Sequence, residues 1–102
     1  MKVVLYQPAI QPQLLPSTGF SLDAGSGAII QNHTRAEELL GYAPELVDVL
    51  ASGQGYLIYS VFDHEGEANT GVMEVLSTLT GNVLDEGDED EVLRGPVLVV
   101  QN

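Results

Sequence analysis

Two histidines, fifteen acids and no cysteine are the residues from which any chemistry in this 102-residue chain must be built. His33 stands where a helix is expected to begin, and His64 lies in a polar turn, DHEG, at 63–66. Neither sits in a nucleophile motif, and general acid–base work needs a histidine held against the reacting group. Lys2 is the only lysine and no G-x-x-x-x-G-K-S/T loop is present, so phosphate cradling is not expected. Without cysteine there is no disulfide, thiolate ligand or thiol nucleophile. Asp85, Asp88 and Asp90 are close enough to suit a hard cation such as Ca²⁺, but the twelve-residue EF-hand spacing is missing. These residues predict a non-enzyme with no metal or cofactor.

What remains is charge. Residues 1–36 carry a net +1, residues 37–102 carry −13 from 14 acids against Arg94, and the whole chain carries −12. Six of those acids fall in the seven positions 85–91. Such a balance repels phosphate backbones and anionic lipid, so neither direct nucleic-acid binding nor a membrane surface is expected. It attracts basic proteins, including those that bind nucleic acid. Glu86, Asp88, Glu89, Asp90 and Glu91, with Glu37, Glu38, Glu45 and Asp48, are the candidate partner-binding residues, imitating a run of phosphates. Beside this stands the plainer reading of a solvated loop that only keeps the protein soluble.

The elements that would position these acids can be read along the chain. KVVLYQ at 2–7 has strand composition, and Pro8, Pro12 and Pro16 then predict an irregular Pro/Gly-rich loop over 8–27. Ile10, Leu14 and Leu15 in that loop offer apolar contacts, and Phe20 belongs with the core. Thr34 and Glu37 make a T-x-x-E capping box for a short helix that Gly41 ends. PELVDVLA at 44–51 fits a helix or a strand. The following SGQG and the strand YLIYSVF at 56–62 favour a hairpin. Asn69 or Thr70 caps a second helix carrying Val72, Val75, Leu76 and Leu79 on one face, which Gly81 ends. An acidic loop at 82–94 leads to PVLVV at 96–100, a strand buried on both faces.

This order, β-α-β-β-α-β, predicts a single α+β domain over 1–102. It would be a two-layer, ferredoxin-like arrangement with two short helices on one face of the sheet. No apolar run reaches roughly 18 residues and Gln7-Pro8 breaks the N-terminal stretch, so neither a membrane span nor an export signal is expected. A cytoplasmic location is.

Two resemblances follow. MKVVLYQP, FDHEGE, ANTGVMEVL and RGPVLVVQ together resemble a family of short uncharacterised proteins carried by phages, plasmids and other mobile elements. That resemblance implies a context, a small accessory protein, rather than a mechanism. GSGAIIQNHTRAEELLGYAPEL is similar to a PAS sensor motif, matched at Asn32, Leu40, Gly41, Tyr42, Glu45 and Leu46. It implies a small-ligand pocket near Asn32 and Tyr42, and three long antiparallel strands after the motif. The leading expectation is a small acidic accessory protein of DNA-mimic or anti-defence type that occupies a basic, nucleic-acid-binding host surface, possible also as a homodimer. A PAS-like sensing module and a structural or metal-binding domain are the alternatives.

Overall fold

The computed structural model describes residues 1–8, 10–61, 68–81 and 93–102. The acidic run 85–91 and the DHEG turn lie outside the described residues, so Glu86, Asp88, Glu89, Asp90, Glu91 and His64 receive no structural account.

Among the described residues, five antiparallel strands form one sheet: β1 (Lys2–Tyr6), β2 (Gln13–Leu15), β3 (Val47–Gly53), β4 (Tyr56–Val61) and β5 (Val97–Gln101). Two helices accompany them, α1 (His33–Leu40) between β2 and β3, and α2 (Thr70–Thr80) between β4 and β5. The sheet order is β2-β1-β5-β4-β3. β5 is therefore central, pairing with β1 from Lys2↔Gln101 to Tyr6↔Val97 and with β4 from Tyr56↔Gln101 to Ser60↔Val97.

The α+β class and the order of elements follow the expectation, with β2 added, but the two helices, expected on one face of the sheet, lie on opposite faces. Val3, Leu5, Leu57, Tyr59, Leu98 and Val100 form a core with Ala36 and Leu40 of α1, closed by Phe20 and Ile29. Ile58, Val97 and Val99, the alternate residues of the same strands, pack instead on Val72 and Leu76 of α2. Strand side chains point alternately to the two faces, so β4 and β5 can be apolar throughout only if both faces are covered. Fully burying one such aliphatic side chain contributes roughly 1.5–3 kcal/mol.

Local sequence explains most of the boundaries. Pro12 and Pro16 bracket β2, a three-residue edge strand inside the segment read as irregular; proline is tolerated at the ends of edge strands. Gly41 and Gly81 close the two helices in the left-handed conformation, at φ 75° and 76°. The segment at 44–51 resolves as one 3-10 turn, Pro44–Leu46, followed by β3. The hairpin reading therefore holds. Its two-residue connection is Gln54-Gly55, and the Tyr56 ring lies across Gly53 so closely that any Cβ there would strike it.

Candidate binding surface

α1 begins one residue before the expected cap. Asn32, not Thr34, is the N-cap: its Oδ1 accepts from the Arg35 backbone N–H at 3.1 Å, so the T-x-x-E capping box does not form. The same side chain donates through Nδ2 to the Gly19 carbonyl at 2.8 Å, tying the helix to the preceding loop. The Asn32 backbone N–H donates to the Tyr59 hydroxyl at 2.9 Å. Burial of Tyr59, which has no exposed surface, raises its pKa above 10.0, and the hydrogen bond from Asn32 works against that rise.

The acids of this region sit around that helix start. Glu37 lies 3.2 Å from His33 Nε2, which also stands 3.3 Å from the Pro44 carbonyl. Both neighbours are acceptors, so Nε2 carries the hydrogen that they share. The ring also meets Tyr59 edge-on, with centroids 6.1 Å apart. His33 thus joins α1 to the 3-10 turn. Glu38 pairs with Arg35 at 3.0 Å, while the Arg35 Nε donates to the Thr18 carbonyl. Gly19, at φ 94°, passes so close to the Arg35 stem that a Cβ would lie 2.9 Å from Cγ. Glu45, in the 3-10 turn, and Asp48, at the start of β3, are exposed. Asp48 Oδ1 accepts from the Val49 N–H at 2.7 Å.

The structure therefore brings four of the nine candidate acids, Glu37, Glu38, Glu45 and Asp48, to one neighbourhood formed by α1, the 3-10 turn and β3. Glu38 is paired with the Arg35 guanidinium, and Glu37 lies against the His33 ring. Among the described residues no group of three or more His, Asp or Glu side chains is arranged to hold a metal ion. Asp85, Asp88 and Asp90 lie outside them. No helix among the described residues is long and apolar enough to cross a membrane.

The pocket implied near Asn32 and Tyr42 is not assembled from that pair. Tyr42 lines an open groove of about 280 Å³ with Gln7, Pro8, Ile10, Leu40 and Pro96, whereas the Asn32 side chain is engaged by the Arg35 N–H and the Gly19 carbonyl. Sequence reading missed the Asn32–Tyr59 link because 27 residues separate the partners and no local motif marks it. It also gave Asn69 only a capping role. That side chain makes no cap bond; its Nδ2 donates at 2.9 Å to both the Tyr6 and Gly95 carbonyls. In comparisons with known proteins, no family model, curated protein or solved structure matches the chain.

Proposed function

We propose that this chain is a small acidic binding module without chemistry of its own. Its partner is a protein with a basic, nucleic-acid-binding surface, and the mode is DNA mimicry by a phage or mobile-element accessory. The observation that carries the reading is the charge distribution, 14 acids against Arg94 over residues 37–102. The exposed Glu45 and Asp48 beside α1 extend that acidic character onto the folded surface. Opposed charge steers association and makes it salt-sensitive.

Immobilised protein should retain basic nucleic-acid-binding proteins from a host lysate at low salt. Duplex DNA should compete for the retained proteins. Retention should fall at least about tenfold between about 50 and 200 mM salt, as expected when several charge pairs form. Replacing Asp88, Glu89, Asp90 and Glu91 by Asn and Gln should abolish it. Retention that survives both salt and amide substitution rejects the mimic reading and leaves the acids as solubilising groups.

A second reading is favoured by the sheet. The PAS-like segment calls for three antiparallel strands after it, and β3, β4 and β5 are adjacent antiparallel strands. α2 between β4 and β5 departs from that pattern, and Phe20, Ile29, Leu40 and Tyr59 fill the face on which α1 lies. Native mass spectrometry separates the readings: a bound small molecule supports a sensing module, and a persistently empty chain counts against it.

A further inference from the structure

We draw no further inference here: the strongest candidate, the uncharged cleft of about 370 Å³ at the entry to α2 between Tyr6, Gln11, Asn69 and Gly71, is a groove beside a helix N-terminus, and nothing in the structure shows what covers it.

Discussion

At the scale of single residues, Tyr59 is where the sheet meets the start of α1. Its hydroxyl accepts the Asn32 N–H, its ring borders His33, and the side chain is wholly buried. Burial favours the neutral phenol over the phenolate, raising the folded pKa above 10.0, and Tyr6 is shifted the same way for the same reason. The folded state then holds protons that the unfolded state releases. The stability involved is fully present below the unfolded value and is lost as pH rises through the folded one. Urea titrations should therefore show stability falling above about pH 10, the ordinary tyrosine value. Tyr59→Phe should be less stable at neutral pH by about 1 kcal/mol, the worth of one hydrogen bond, with a flatter alkaline limb. An unchanged alkaline limb in that variant would assign the loss to other groups. The nearby cap shows why residue-scale reading falters. Asn32 and Thr34 are both good capping residues two positions apart, and Glu37 completes a motif with the wrong one. Only the tertiary partners Gly19 and Tyr59 select Asn32.

Among the elements, Asn69 fastens three that are distant in sequence. Its side chain holds the carbonyl ending β1 and the Gly95 carbonyl before β5, while its backbone N–H donates to the Leu93 carbonyl at 2.7 Å. It does so at the entry to α2 with only 3% of its surface exposed. Asn69→Ala should cost about 2 kcal/mol, because buried carbonyls lose their donor, and the urea midpoint should fall accordingly. Thr70→Ala next to it, on an exposed residue, should be nearly neutral. A small effect at Asn69 would mean that solvent replaces both bonds. Periodicity made β1, β4, β5 and the inward face of α2 legible. β2 was not, because three prolines argue against regular structure unless the strand is known to lie at an edge. The placement of α2 opposite α1 was nearer to legible. PVLVV reads as buried on both faces, and such a strand cannot have all its cover on one side.

Across the whole molecule, charge and apolar surface are segregated. The uncharged stretch 3–22 supplies β1 and β2, and the acids are concentrated after residue 36. Binding of a basic partner weakens as charge is screened, so a salt series on the capture assay tests the reading at this scale. Much of the fold was legible because apolar periodicity encodes burial directly. The partner surface was legible only as composition. Glu37 and Glu38 count as acids in the sequence, yet His33 and Arg35 stand against them in the fold, and that pairing depends on one helix turn that composition does not resolve.

The central position of β5 has a consequence for how the chain is made. β1 and β2 emerge early from a ribosome and can pair, and β3 and β4 can pair later, but no ladder joins the two hairpins directly. Both wait for residues 97–101, which must slot between them with Lys2 opposite Gln101 and Tyr56 on its other side. Pairings that span nearly the whole chain close slowly. The nascent polypeptide therefore passes through a period as two unjoined half-sheets, with the apolar flanks of β1 and β4 open to water or to a chaperone until β5 arrives.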